Sequence, residues 1–302
     1  MGGRPDYWHA KGFLKSVLVT GATGSFGRAF IERLLLDSEV ERIVAFSRGE
    51  HAQAEMAEGL KDERVRFFIG DVRDRLRLRR AFDSIDIVVH AAALKRIEVG
   101  RYCPSEMVQT NILGAINVIE AAMDAGVKKV VALSSDKAFC PVSPYGQSKA
   151  LAESLFSNAY KSEHGPIYSC TRYGNVFNSR GSVVPKWREI LKTSDTVPVT
   201  DPNATRFFMW MSEAVQLVLS TIETMKGGEI AIPKLPAYRL GDLAEAMGAK
   251  MKIIGLPEWE KLHENMSEEL CSKAAPRMTV EQLREALHEI GYKRTEQCAP
   301  SL

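Results

Sequence analysis

Ser16-Val-Leu-Val-Thr-Gly-Ala-Thr-Gly-Ser-Phe-Gly27 is the stretch on which the reading of the fold turns. Ser16 to Thr20 is short, apolar and β-branched, with no polar alternation, which predicts a strand buried on both faces. Gly21 to Gly27 predicts a tight turn, and Arg28 to Leu36 a helix. A turn between a strand and a helix, built from residues without side chains, lets backbone amides approach a pyrophosphate. The helix N-terminus adds partial positive charge. The spacing is GxxGxxG, so the glycines alone are equally consistent with a structural turn; the strand before them and the strands that follow select the dinucleotide reading.

Outward from this motif the pattern repeats. Strands are predicted at Arg42 to Ser47, Val65 to Gly70, Ile85 to Ala91, Lys129 to Ser134 and Ile167 to Tyr173. Long helices are predicted at Val108 to Ala125 and Pro144 to Tyr160. Strands alternating with helices predict an α/β fold, a Rossmann-type doubly wound parallel sheet with right-handed crossovers. After residue 176 the segments shorten and prolines punctuate them, with helices predicted at Ser212 to Met225, Leu240 to Met247 and Val280 to Ile290. This reads as a smaller, mostly helical C-terminal substrate lobe. The expected division is therefore 1–176 for the dinucleotide-binding domain and 177–302 for the second lobe, with the chain crossing between them.

Composition limits the function classes. The 302 residues are 45% hydrophobic and 26% charged with a formal net charge of +2, ordinary values for a globular chain and not those of a nucleic-acid binder. The arginines between Arg73 and Arg80 alternate with leucines and read as the solvated face of a short helix. Five scattered cysteines, Cys103, Cys140, Cys170, Cys271 and Cys298, form no CxxC pair, so neither a disulfide framework nor a metal site is expected. No apolar run approaches the length of a membrane span, no signal peptide is apparent, and a cytoplasmic location is expected. Tyr7, Trp8, Phe13 and Leu14 are expected to pack the N-terminal stretch onto the body.

The second predicted strand selects the cofactor. A carboxylate at its tip would bind the ribose hydroxyls of NAD, whereas a cation accommodates the 2′-phosphate of NADP. Here the strand ends in Ser47-Arg48, and an arginine can pair with phosphate and stack on adenine. NADP is expected rather than NAD. Cofactor contacts are expected from Gly21, Thr23, Gly24, Ser25, Phe26, Gly27, Ser47 and Arg48, from Asp71 and Val72 after the third strand, and from Ala91, Ala92 and Ala93 after the fourth.

Tyr145 and Lys149 are four residues apart and share a helix face; Ser135 ends the fifth strand. A tyrosine hydroxyl is a poor base at its ordinary pKa, and a nearby ammonium favours its phenolate. Such a set suits removal of a hydroxyl proton while hydride leaves the same carbon. At this point the chain resembles the extended short-chain dehydrogenase/reductase family. Ser134-Ser-Asp-Lys-Ala138 resembles the UDP-N-acetylglucosamine 4,6-dehydratases among the polysaccharide biosynthesis proteins, in particular the inverting type of pseudaminic acid synthesis. Further strings carry the likeness from Val17 to about Glu264, among them Arg66 to Asp74, His90 to Lys95, Arg172 to Val176, Ser179 to Pro185 and Glu260 to Glu264. Larger, membrane-anchored members of this group carry methionine at the tyrosine position, so Tyr145 points to the short type.

The resemblance implies specific roles. Tyr145 would take the proton from the sugar 4-hydroxyl, Lys137 the proton from carbon 5, and Asp136 would protonate the departing 6-hydroxyl, with NADP tightly bound and recycled. A lysine base must be neutral, which burial and neighbouring Lys149 are expected to favour. Lys95, Asn175, Val183, Thr200, Arg206 and Glu260 stand where the family meets its nucleotide sugar. Arg206 fits a diphosphate by its planar geometry, or a salt bridge that holds the lobe. Where the family reads Arg-Pro-Gly-Glu-Lys-Leu-His-Glu, this chain reads Pro257-Glu-Trp-Glu-Lys-Leu-His-Glu264, losing the arginine. His263 is expected to order this loop rather than bind metal. The resemblance also implies a homo-oligomer, a dimer or a hexamer, with no nucleic-acid or membrane partner. Three rivals stand beside this reading: a sugar-nucleotide epimerase, a dehydratase on a different nucleotide sugar, and a non-catalytic NADP-binding sensor.

Overall fold

In a computed structural model the described residues are 15–159 and 165–292. The N-terminal aromatics Tyr7, Trp8 and Phe13, and Cys298, lie outside them. In chain order the elements are β1 (Ser16–Thr20), α1 (Ser25–Leu35), β2 (Arg42–Ser47), α2 (Glu50–Leu60), β3 (Val65–Ile69), α3 (Arg75–Ala81), β4 (Ile87–His90), α4 (Ile97–Tyr102), α5 (Pro104–Met107) and α6 (Gly114–Ala125). There follow β5 (Lys129–Leu133), α7 (Pro144–Ser157), β6 (Ile167–Thr171), α8 (Val183–Ile190), β7 (Thr196–Val199), β8 (Thr205–Phe207) and α9 (Met211–Thr224). The chain continues through β9 (Ile230–Ala231), β10 (Ala237–Arg239), α10 (Leu240–Ala246), β11 (Lys250–Ile253) and α11 (Val280–Glu289).

Seven strands form one parallel sheet in the order β3-β2-β1-β4-β5-β6-β9. The order reverses between β1 and β4, and the crevice beyond their carboxyl ends is where such sheets bind ligands. The apolar run predicted as a buried strand is β1, with Val17, Leu18, Val19 and Thr20 all fully buried between neighbours on both sides. Phe30, Ile31 and Leu34 dock α1 on one face; full burial is worth about 1.5–3 kcal/mol for each such side chain. That packing fixes the N-terminus of α1 over the end of β1. Val118, Ala121 and Ala122 dock α6 on the other face.

The predicted helix from Val108 is instead preceded by α5 and opens with a π-helical segment, Val108–Leu113, that runs into α6. The wider turn places Thr110 and Asn111 inward. The arginine-rich stretch is the short α3 as expected; Asp74 caps it, and Arg75 and Arg79 pair with Glu120 and Asp124 of α6.

Beyond residue 176 the chain does not leave the first body for good. α9 packs on α1, β5 and β6, and β9 adds the seventh strand. The remaining segments build the second lobe around Phe177, Trp187, Phe208, Tyr238, Leu243 and Leu287. Helices α8, α10 and α11 are accompanied there by two small ladders, β8 antiparallel to β10 and β7 parallel to β11, too short to show periodicity in the sequence.

Candidate active site

The glycine turn is shaped by contacts of the backbone with itself. Gly21 has φ +69°, and a methyl group there would lie 2.9 Å from the backbone of Ala92. A methyl on Gly27 would lie 2.6 Å from the carbonyl oxygens of Gly21 and Ala22, so the helix can start so close to the turn only without a side chain. Gly24 caps α1 with no side-chain hydrogen bond, which leaves the amides of its first turn open to an anion. This cradle fits a dinucleotide pyrophosphate.

One cavity of about 770 Å³ runs from this turn across the ends of the strands. It is lined by every residue expected to bind cofactor or to catalyse, together with Lys95 and Asn175. At the adenosine end, Ser47 is buried and its hydroxyl accepts from Gln53 at 2.9 Å. Arg48 is half exposed and stands 3.8 Å from Asp71. Asp71 also accepts two hydrogen bonds from the Arg73 guanidinium; burial raises its carboxyl, but Arg73 and Arg48 outweigh that and hold it low. Phe26 stacks on Phe30. The Ser25 hydroxyl accepts from the Arg180 amide and Lys95 donates to the Arg180 carbonyl, so the segment after Asn175 folds back over the glycine turn.

Towards the nicotinamide end the helix α7 presents Tyr145 and Lys149 on one face. Lys149 is buried and its ammonium donates to the Leu133 carbonyl at the end of β5. Burial pushes the Lys149 ammonium down, against the opposing pull of Cys170 and Glu153. Burial likewise pushes the Tyr145 phenol up, and the groups that oppose the rise are the Lys137 ammonium and the Ser135 hydroxyl. The cation that acts on Tyr145 here is thus Lys137 rather than the expected Lys149.

Ser135 caps a short turn, Asp136–Ala138, and its hydroxyl donates to Asp136 Oδ1 at 2.9 Å. Asp136 is fully buried, and Lys137 lies 3.1 Å from its Oδ1 and 3.4 Å from Asn175 Oδ1. Burial raises the Asp136 carboxyl and the neighbouring Glu264 adds to the rise, against the opposing pull of Lys137 and Ser135. The expectation of a neutral Lys137 is overturned. Burial pushes its ammonium down, but the carboxylates of Asp136 and Glu264 more than offset that and hold it charged. Asp136 at 3.1 Å acts most strongly, and Glu264, 3.4 Å away on a loop of the second lobe, adds to it.

Val183, Thr200, Arg206 and Glu260 do not line the cavity. Arg206 is buried, pairs with Glu260, and donates to the carbonyls of Thr205 and Leu262; Thr200 also reaches Glu260. These three residues therefore form a contact within the second lobe, with the Arg206 guanidinium turned to protein. Thr205 bonds to His263 at 2.8 Å, which orders the same loop. Where the family arginine is replaced by Pro257, the Arg101 guanidinium of α4 lies 3.4 Å over the ring of Trp259. Sequence reasoning passed over two residues. Asn111 bonds the Leu94 backbone and the Ser148 hydroxyl, and Ser148 in turn bonds the Tyr145 carbonyl, so Asn111 steadies the tyrosine turn. Its signal was a polar residue on an otherwise apolar helix face. Glu264 was quoted only as the end of a motif.

A doubly wound sheet with a glycine turn, and a Tyr-Lys pair beside an Asp-Lys pair, define a nucleotide-dependent enzyme of the extended short-chain dehydrogenase/reductase type. The chain belongs to the family described as polysaccharide biosynthesis protein, whose pattern matches residues 17–282. It is 44% identical over 257 residues to the UDP-N-acetylglucosamine 4,6-dehydratase (inverting) of Campylobacter jejuni, covering 83% of this chain and 77% of that one. It is 40% identical over 272 residues to a UDP-glucose 4-epimerase of Rickettsia akari, covering 86% and 80%. The solved structure of Pen from Bacillus thuringiensis superposes with a TM-score of 0.86 at 32% identity, covering 92% of this chain and 99% of that one. The chain is thus an enzyme of the sugar-nucleotide dehydratase/epimerase type. Among the described residues no helix is long and apolar enough to cross a membrane.

Proposed function

We propose that this chain is an NADP-dependent sugar-nucleotide 4,6-dehydratase that acts on UDP-N-acetylglucosamine and gives a 4-keto-6-deoxy sugar nucleotide inverted at carbon 5. The observation that carries the reading is the Asp136–Lys137 pair in the cavity that also holds Tyr145. Oxidation and reduction at carbon 4 alone need one acid/base group, which Tyr145 supplies. Loss of water across carbons 5 and 6 needs a second base and a separate acid.

Tyr145 removes the proton of the 4-hydroxyl, drawing on the positive charge of Lys137 and the hydroxyl of Ser135. A nicotinamide cofactor held by the glycine turn and by Tyr145 and Lys149 would supply the acceptance of hydride from carbon 4 and its return to carbon 6. The 4-ketone acidifies the hydrogen on carbon 5, and Lys137 removes it. Burial favours the protonated form of Asp136, which gives its proton to the departing 6-hydroxyl. Arg48, beside the adenosine end, supports NADP over NAD. Lys95, which lines the cavity, supplies a cation for a substrate diphosphate.

The test is incubation with UDP-, CDP-, GDP- and dTDP-sugars in deuterated water, followed by mass spectrometry. A product of UDP-N-acetylglucosamine that has lost one water and gained deuterium at carbon 5 is expected. The 40% identity to a chain named as an epimerase favours epimerisation as the second reading. A new sugar nucleotide of unchanged mass, separated from the substrate by chromatography, would establish that reading and overturn the first.

A further inference from the structure

Lys137 carries a positive charge where the proposed chemistry asks for a base, and its partner on the cavity wall, Asp136 at 3.1 Å, is committed to the acid role. Behind Lys137, outside the lining of the cavity, lies Glu264. Its side chain is only 2% exposed, and its Oε1 is 3.4 Å from Lys137 Nζ. Its backbone is pinned: its amide donates to the Ser272 hydroxyl and its carbonyl accepts from the Ser272 amide, each at 2.8 Å. Ser272 is fully buried and bonds Thr205. The carboxylate therefore cannot swing out to water.

The charged and titratable groups around this pair are few. Lys261 faces the other Glu264 oxygen at 3.8 Å and donates to the Phe139 carbonyl at 2.6 Å, just past the Asp136–Ala138 turn. Arg206, Tyr145 and Tyr238 complete the surroundings, and Arg206 is already paired with Glu260. Glu264 Oε2 accepts no hydrogen bond. So a buried carboxylate, held low by Lys137, Arg206 and Lys261, touches through Oε1 the one lysine that must shed a proton.

We propose that Glu264 is a positioning residue that takes the resting proton of Lys137 and so lets Lys137 act as base. The inference rests on the dehydratase reading. A proton passes from Lys137 Nζ to Glu264, leaving a neutral amine beside a neutral carboxylic acid. The amine then takes the proton from carbon 5 as the C5–H electron pair forms the C5–C6 double bond. The C6–O bond breaks, and Asp136 gives its proton to the leaving oxygen, so water departs. Carbon 5 takes its new proton from solvent on the face opposite Lys137, as inversion requires, and the proton held by Glu264 passes through Lys137 to Asp136, which restores all three groups. No further oxidant, reductant or co-reactant is needed.

Wild-type enzyme with UDP-N-acetylglucosamine is measured beside Glu264→Gln and Glu264→Asp. Wild type that releases no dehydrated product refutes the dehydratase reading, and the Glu264 inference with it; wild type that dehydrates leaves the variants to decide. In Glu264→Gln, kcat for dehydration is expected to fall about a hundredfold or more, with KM within about threefold of wild type. The first half-reaction persists, so reduced nicotinamide absorbance appears in a single turnover and is not consumed. The rate of the variant should still climb at alkaline pH, where Lys137 can lose its proton to solvent, after wild type has levelled. Glu264→Asp restores part of the rate. Glu264→Gln with wild-type kcat and pH profile overturns the inference, as does a loss in which reduced nicotinamide no longer appears. Should Glu264→Gln fail to fold, Glu264→Asp decides: a tenfold or greater loss in kcat at unchanged KM supports the inference, and a wild-type kcat refutes it.

Discussion

The ammonium of Lys149 donates to the carbonyl of Leu133 and so ties helix α7 to the end of strand β5. Tyr145 sits one turn earlier on the same face, which places its hydroxyl over the sheet's carboxyl edge. Replacing Lys149 by Met removes a hydrogen bond from a charged donor, worth about 1.5–3 kcal/mol, but also relieves the cost of burying that charge. The two oppose each other. Thermal denaturation of Lys149→Met should therefore shift little, while dehydration falls about a hundredfold or more. A large drop in Tm with activity per folded molecule retained would show that the residue serves only the fold.

The glycine turn predicts a contrast between two glycines. Gly27→Ala drives a methyl group into two backbone carbonyls at 2.6 Å, and overpacking of this kind costs about 1–3 kcal/mol or more. Gly59 lies in helix α2 with nothing within 4 Å of an added methyl. Gly59→Ala should stabilise by about 0.5–1 kcal/mol. Urea unfolding of the two variants checks this. Equal effects would contradict the account of the turn.

His90 gives a pH dependence. It is buried, bonds the Thr20 hydroxyl at 2.8 Å, and burial lowers its pKa from 6.5 to about 3. The unfolded chain takes this proton near pH 6.5 and the folded chain only near 3, so protons favour unfolding as pH falls through that window. Between pH 6.5 and 5, before most carboxylates titrate, the loss should be about 2 kcal/mol. His90→Gln should lack this part of the acid limb. Parallel stability curves for wild type and variant between pH 7 and 5 would contradict it.

Arg48→Ala tests the cofactor proposal. A charge-assisted contact to the 2′-phosphate is worth about 1.5–3 kcal/mol, so preference for NADP over NAD should fall about tenfold or more. Titration of each cofactor into the cofactor-free variant and wild type measures it. An unchanged ratio would move phosphate recognition elsewhere.

Much of the sheet was legible because its strands are continuous apolar runs between turn signals. Leu18, Val44 and Val88 announce themselves by residue type. The seventh strand, Ile230–Ala231, is too short to carry a pattern, and its pairing with Cys170 and Thr171 gives it a place. The return of α9 to the sheet depends on packing with α1, which no local signal carries. At the site, Tyr145, Lys149, Asp136 and Lys137 were legible by spacing and resemblance. The charge of Lys137 was not, because its adjacent Asp136 was assigned as an acid rather than a counter-charge, and Glu264 reaches it from a distant loop. Arg206 matched phosphate chemistry by type, but its burial against Glu260 is a tertiary fact.

The most direct test compares wild type with Lys137→Ala on UDP-N-acetylglucosamine, following by mass spectrometry the product that has lost one water. The account predicts that wild type forms this product and that Lys137→Ala forms it about a hundredfold or more slowly. Dehydration by Lys137→Ala at the wild-type rate would contradict it.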